Sequence, residues 1–151
     1  MKLYGIIIWL CFMCFSVSAQ NMSGQQLLDK TIAYHDPFGV WPTFNGTLEV
    51  SMVLPEGQAR ESKIQINLPQ EYFSITTKRD TLVTTYTIDK QTCKTSIKEI
   101  PTYGKSTPCE TAELYKNYYT YLFGLPMKLK DPGTNVSGKV RTQHFKGKDY
   151  L

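Results

Sequence analysis

The chain has 151 residues, with 17 basic and 13 acidic side chains and a formal net charge of +4 at pH 7. This length suits one domain with a real hydrophobic core, and the mild, scattered basicity does not indicate a nucleic-acid-binding surface. The only histidines are His35 and His144, and no phosphate loop, Gly-x-Ser-x-Gly elbow or His-Glu-x-x-His motif is present. The sequence therefore predicts no catalytic residues, no metal site and no cofactor.

The first residues predict a secretory signal peptide. Met1 and Lys2 precede an apolar run over 3–15, and small residues up to Ala19 fit a cleavage site. We therefore expect residues 1–19 to be removed and residues 20–151 to form a single β-rich domain, periplasmic or extracellular. The apolar run is too short to span a bilayer comfortably and no second long run follows, so the protein is not predicted to span a membrane.

A short helix and then a series of strands are predicted next. Ser23 and Gln26 match a capping box, apolar residues recur at helical spacing up to His35, and Asp36 before a proline ends the helix. Alternating apolar residues predict five strands, at 43–54, 60–68, 72–78, 81–88 and 92–100. The short turns between these strands favour an antiparallel meander over βαβ units.

A second, longer helix is predicted over 107–123. Thr107 can cap its first turn, Pro108 suits the first helical position, Glu110 completes a capping box, and Gly124 marks the end. Its apolar and aromatic stripe is broad, so we expect this helix to lie over the sheet. The predicted fold class is α+β: a curved, unclosed antiparallel sheet, similar to a half-barrel, covered by one or two helices.

The remaining residues predict further sheet. Residues 126–129 read as extended, 130–135 as a turn, 139–145 as a strand, and Asp149 as the start of another strand. A strand that begins at the last residues would leave a long unpaired edge. We therefore expect this sequence to be the N-terminal part of a larger domain.

Cys93 and Cys109 are the cysteines that remain after the signal peptide. In an oxidising compartment two cysteines most simply pair, so we predict a disulfide between the fifth strand and the first turn of the second helix. The alternative is a redox-active thiol at Cys109, at a helix N-terminus. No Cys-x-x-Cys motif accompanies it, which favours the disulfide.

Aromatic residues exceed what a small core needs, and tyrosine suits a surface that is apolar on one side and wet on the other. These rings either fill the core between helix and sheet or line a cleft for a lipid or acyl chain. The predicted apolar cleft consists of Trp41, Phe44, Tyr115, Tyr118, Tyr119, Tyr121 and Leu122. His35 and Asp36 are interpreted as capping the first helix rather than as a catalytic pair.

Four segments carry a resemblance to a known family: AYHDP (33–37), WPTFNG (41–46), Cys109-Glu110 and YYTYLFGLPMKL (118–129). Together they resemble an uncharacterised family of secreted bacterial proteins that is similar to the outer-membrane lipoprotein-sorting carriers. The resemblance implies an unclosed antiparallel β-barrel, with helices on its concave face and a cavity for acyl chains. The expected function is a periplasmic, non-enzymatic carrier or binding protein for an apolar ligand. A protein-interaction domain without a cavity and an unrecognised hydrolase are the alternatives.

Overall fold

The computed structural model describes residues 22–53, 55–97 and 106–151. The predicted signal peptide, Leu54 and the predicted end of the fifth strand at 98–100 lie outside the described residues. Within the described ranges, no helix has the length and hydrophobicity needed to cross a membrane. The described residues belong to two compact units: Leu28–Thr134 contains a five-stranded sheet, and Asn135–Leu151, together with the residues up to Leu27, contains a two-stranded one.

Helix α1 spans Gly24–His35. The predicted capping box is confirmed, because the Ser23 amide donates to Gln26 Oε1 at 2.9 Å and the Gln26 amide donates to Ser23 Oγ at 3.2 Å. These two bonds satisfy backbone donors that a helix N-terminus otherwise leaves without partners. The start of α1 is therefore fixed by local sequence.

The large sheet is an antiparallel meander whose strands lie in sequence order. Its strands are β1 Asn45–Met52, β2 Arg60–Asn67, β3 Tyr72–Arg79, β4 Leu82–Asp89 and β5 Thr92–Ile97. Because β1 and β5 are edges that do not pair with each other, the sheet is unclosed. The predicted α+β class and meander are confirmed, and the predicted strand ends agree to within two residues in the described part of the chain.

One face of this sheet is apolar because strand pairing aligns the apolar positions. Ile64 lies opposite Ile75, which lies opposite Tyr86, and the next row is formed in the same way. The six side chains of these two rows are at most 5% exposed: Ile64, Ile66, Phe73, Ile75, Tyr86 and Ile88. The residues between them in the same strands point to the opposite face of the sheet, which is polar.

Helix α2 spans Pro108–Phe123 and packs on the apolar face, mainly against β4 and β5. Its predicted capping box is confirmed: the Glu110 amide donates to Thr107 Oγ1 at 3.3 Å, and the Thr107 amide donates to the Glu110 carboxylate at 2.7 Å. Ala112 and Tyr119 lie on its underside and are buried in the core. The small alanine lets the first turns of the helix approach the sheet closely.

The predicted disulfide is present in the structure. Cys93 of β5 bonds to Cys109 in the first turn of α2, with the two Cα atoms 5.9 Å apart. At the other end of α2, Phe123 lines the same groove as Leu48 of β1. Helix α2 therefore lies over β3, β4 and β5, with its first turn covalently held at β5.

Gly124 follows α2 and allows a close approach at the helix end. Its φ of −85° is right-handed, so the helix does not end in the left-handed conformation for which glycine is usually required. A Cβ atom here would lie 2.4 Å from Trp41 Cζ2, 2.4 Å from Lys128 Cγ and 2.6 Å from the Thr120 carbonyl oxygen. The absence of a side chain is what lets the Trp41 ring reach the helix end.

We expect Gly124→Ala to lower the free energy of unfolding by about 1–3 kcal/mol, because the added methyl group must displace the Trp41 ring or the helix backbone. Urea unfolding measures this loss. Gly138→Ala is the matched control, since a Cβ there meets nothing within 4 Å, and it should change stability by about 0.5 kcal/mol or less. Equal losses in the two variants would show that the contact with Trp41 is unimportant.

The extended segment predicted at 126–129 is wrong. The chain instead forms a 3₁₀ helix, Met127–Lys130. Local bonds explain the difference: the Lys128 amide donates to the Gly124 carbonyl at 2.8 Å, and the Leu129 amide donates to the Pro126 carbonyl at 2.9 Å. With these donors satisfied within the segment, the backbone does not need a strand partner.

In the smaller unit, a short hairpin replaces the longer strand predicted at 139–145. Strand β6, Gln143–Phe145, pairs with β7, Lys148–Tyr150. The two turn residues, Lys146 and Gly147, have φ values of 49° and 77°, as a tight two-residue hairpin requires. The predicted strand is too long because β7 pairs with only three of its residues.

Candidate ligand-binding groove

An apolar groove with a volume of about 260 Å³ lies beside the C-terminal end of α2. It is lined by His35, Asp36, Val40, Trp41, Phe44, Leu48, Phe123 and Met127. Most of these side chains are hydrocarbon or aromatic. The groove is thus chemically suited to an apolar group rather than to a polar metabolite.

Four separate segments supply the apolar side chains of the groove, and His35 and Asp36 at the end of α1 complete its lining. Trp41 and Phe44 come from the 3₁₀ turn before β1, and their rings stack with centroids 5.4 Å apart. Leu48 lies on the apolar face of β1, Phe123 is the last residue of α2, and Met127 begins the next 3₁₀ helix. Because the groove depends on this convergence, it exists only when α2 is docked on the sheet.

Asp36 positions the Trp41 side of the groove. Its Oδ1 accepts a hydrogen bond from the Val40 amide at 2.8 Å, and its Oδ2 accepts one from the Trp41 amide at 2.9 Å. Both carboxylate oxygens therefore fix the turn that carries the Trp41 ring. His35 has an edge-on contact with the Tyr34 ring, with centroids 5.3 Å apart, so this carboxylate orients the backbone rather than an imidazole.

Two of the predicted cleft residues, Tyr119 and Tyr115, lie between α2 and the sheet. Tyr119 is only 3% exposed. Its ring stacks on Phe123 at 6.3 Å and on Tyr115 at 6.2 Å, and Tyr115 in turn contacts Tyr86 of β4 at 5.6 Å. These rings fill the core that supports the groove rather than lining it.

Three others, Tyr118, Tyr121 and Leu122, lie on the outer side of α2 with about half of their surface exposed. Of the seven predicted residues, the structure therefore brings Trp41 and Phe44 together in the groove. Tyr118 has an edge-on contact with Tyr119, with ring centroids 5.0 Å apart.

Sequence reasoning missed Leu48, Phe123 and Met127 as groove residues. Leu48 is predicted as a strand residue, Phe123 as one of the aromatic residues that either fill the core or line a cleft, and Met127 as part of an extended segment. A signal for Phe123 was available, because it lies four residues after Tyr119 and eight after Tyr115, which is the spacing of one helix face.

The phenol groups of Tyr119 and Tyr86, which lie between α2 and the sheet, remain protonated at neutral pH. Burial raises the pKa of Tyr119 above its ordinary value of 10.0, and the positive charge of Arg60, whose Nη2 donates to the Tyr119 hydroxyl at 2.9 Å, opposes part of that increase. Burial also raises the pKa of Tyr86, with a smaller contribution from Tyr115. Tyr119 is therefore a neutral hydrogen-bond acceptor for Arg60.

In the part of the chain that the structure describes, no three His, Cys, Asp or Glu side chains lie close enough together to hold a metal ion.

The fold and the groove define an α+β protein with an unclosed sheet, one helix on its apolar face and a small apolar groove at the end of that helix. The family model DUF6503, described as a family of unknown function, matches residues 4–151. The chain belongs to this family. Neither the comparison with curated proteins nor that with solved structures found a match.

Proposed function

We propose that the protein is an exported, non-enzymatic carrier or binding protein for an apolar ligand such as a lipid or an acyl chain. The ligand would enter the groove formed by Trp41, Phe44, Leu48, Phe123 and Met127. The existence of this apolar groove beside a separately packed core is the observation that carries the proposal.

The burial of the groove residues supports a hydrocarbon ligand. The rows beneath α2 are almost completely buried, whereas Trp41, Phe44, Leu48, Phe123 and Met127 all stay partly exposed. Covering this surface with hydrocarbon would gain about 25 cal/mol per Å² of apolar area removed from water. The volume of about 260 Å³ is slightly below the range of roughly 300–1,000 Å³ for small-molecule sites. The groove thus suits one chain segment rather than a whole lipid.

Three further observations support export and carriage. The resemblance to lipoprotein-sorting carriers implies an unclosed sheet with helices on its apolar side, and the sheet and α2 have this arrangement. The disulfide between Cys93 and Cys109 suits an oxidising compartment such as the periplasm. The predicted signal peptide would deliver the chain there.

A second candidate function is a protein-interaction domain, because α2 also has an apolar outer side. Its exposed residues, between 39% and 66% accessible, are Leu114, Tyr118, Tyr121, Leu122 and, just beyond the helix, Leu125. A partner could cover this side without using the groove. A hydrolase gains less support, because the Asp36 carboxylate is engaged by backbone amides rather than by His35.

Titration with a fluorescent fatty-acid probe tests the carrier proposal. We expect Trp41→Ala to weaken probe binding about tenfold or more, because an aromatic wall of the groove is removed. Tyr121→Ala, which removes an exposed ring from the outer side of α2, is the matched control and should leave binding unchanged. Thermal unfolding verifies that both variants are folded. Failure of the wild-type protein to bind the probe would refute carriage, and an equal loss in both variants would favour the outer side of α2.

A further inference from the structure

The helix-covered face of the sheet changes from apolar to cationic toward one end. Along β2 this face reads Ile66, Ile64, Ser62, Arg60, and along β3 it reads Phe73, Ile75, Thr77, Arg79. Strand pairing places Ser62 opposite Thr77 and Arg60 opposite Arg79. A row of hydroxyl side chains is therefore followed by a pair of arginines, and we call Ser62, Arg60 and Arg79 the arginine end of the sheet.

Arg60 has fewer partners than its charge requires. Its Nη2 donates to the neutral Tyr119 hydroxyl at 2.9 Å, while its Nε is buried without a hydrogen-bond partner. Among the described ion pairs, none includes Arg60 or Arg79. The two arginines thus occupy paired positions on adjacent strands, and no carboxylate of the described residues forms an ion pair with either of them.

Ser62 adds a second unsatisfied group at the same end. It is 4% exposed, and its Oγ has no partner among the described residues. By contrast, the Thr77 and Thr84 hydroxyls farther along the same row bond to each other at 2.5 Å. Buried polar groups nearly always have partners, so Ser62 Oγ and Arg60 Nε are two groups at this end that a bound anion can satisfy.

An apolar strip connects this end to the groove. Leu48, which lines the groove, is followed on the same face of β1 by Val50 and Met52. Val50 lies directly opposite Ser62, and Met52 lies directly opposite Arg60. Four residues of strand span about 13 Å, so a flexible hydrocarbon chain that starts at the arginine end can follow this strip into the groove.

We propose that the arginine end binds the anionic head group of an amphiphile whose hydrocarbon chain follows Val50 and Leu48 into the groove. This inference rests on the proposed function and narrows the ligand to an amphiphile with a carboxylate or phosphate head. Such an oxyanion accepts paired hydrogen bonds from a guanidinium. Arg79 supplies a second positive charge, and the Ser62 hydroxyl can donate to the same anion. A neutral lipid would leave these groups without a counter-charge.

Binding of dodecanoate and of dodecanol to the purified protein tests this assignment. The chain has two tryptophans, of which Trp9 belongs to the predicted signal peptide, so Trp41 fluorescence reports on the groove. We expect Arg60→Gln to weaken dodecanoate binding about ten- to a hundredfold, the effect of losing a charge-assisted hydrogen bond. Dodecanol binding should remain unchanged. Arg79→Gln, at an exposed position, should also weaken dodecanoate binding. This second variant keeps the assignment testable if Arg60→Gln does not fold.

Lys63→Gln is the matched control, because it removes one positive charge from the opposite, polar face of β2. It should leave both affinities unchanged. Equal binding of dodecanoate and dodecanol, or equal effects of Arg60→Gln and Lys63→Gln, would overturn the head-group assignment while carriage stands. Binding of inorganic phosphate as tight as that of dodecanoate would make this a free-anion site and would also overturn it. Binding of neither dodecanoate nor dodecanol would refute the proposed function itself.

Discussion

Tyr119→Ala is expected to lower the free energy of unfolding by about 3–5 kcal/mol, the range for truncating a buried aromatic ring. Tyr119 is 3% exposed, stacks on Phe123 and Tyr115, and accepts a hydrogen bond from Arg60. Its removal would leave a cavity between α2 and the sheet and would take away the described partner of the Arg60 guanidinium. Urea unfolding followed by circular dichroism measures the loss.

Two variants isolate the causes of that loss. Tyr119→Phe keeps the ring and removes the hydroxyl, so it should cost only about 1–2 kcal/mol. Tyr118→Ala removes the neighbouring ring, which is 56% exposed, and should cost about 1 kcal/mol or less. If Tyr118→Ala were as destabilising as Tyr119→Ala, the orientation of α2 on the sheet would be wrong.

Removal of the disulfide should have an effect of similar size. Cys93 and Cys109 are 16 residues apart, and closing a loop of that length in the unfolded chain is worth about 3 kcal/mol in the chain-entropy model. The double variant Cys93→Ser, Cys109→Ser should therefore unfold at a lower urea concentration than the wild-type protein. Replacing both cysteines avoids a free thiol that could form wrong pairs.

The wild-type protein under reducing conditions is the control for this variant. It should lose about as much stability as the double variant does without reductant, whereas the double variant should not respond to reductant. If reductant leaves wild-type stability unchanged and the double variant unfolds at the wild-type urea concentration, the bond does not hold α2 on the sheet.

Elements with local signals were predictable from the sequence. The capping boxes at Ser23 and Thr107 involve residues three apart and formed as expected. The meander followed from short turns, because a short connection leaves each strand little choice except to pair with its neighbour. The disulfide followed from the presence of only two cysteines after the predicted signal peptide.

The composition of the groove was less predictable, because it depends on which side of α2 meets the sheet. Aromatic residues occur on both sides of this helix, so periodicity alone did not show that Tyr119 points inward and Tyr121 outward. The side of α2 that faces the sheet is the one on which four residues recur at helical spacing: Ala112, Tyr115, Tyr119 and Phe123. The groove also requires the 3₁₀ helix that carries Met127. Local hydrogen bonds stabilise this helix, although the segment is predicted to be extended.

The arginine end could not be read from the sequence at all. Arg60 and Arg79 become neighbours only through the register between β2 and β3. The hydrogen bond from Arg60 to Tyr119 joins residues that are 59 positions apart. Tertiary packing determines contacts of this kind, and no local sequence pattern predicts them.

Native mass spectrometry of protein purified from a periplasm shows directly whether the groove holds a hydrocarbon chain. We expect the wild-type protein and the Tyr121→Ala control to carry an additional mass of the size of a lipid, or to take up dodecanoate when it is added. Trp41→Ala should carry much less of it. If the wild-type protein shows only its own mass, before and after addition of dodecanoate, the groove does not hold a hydrocarbon chain.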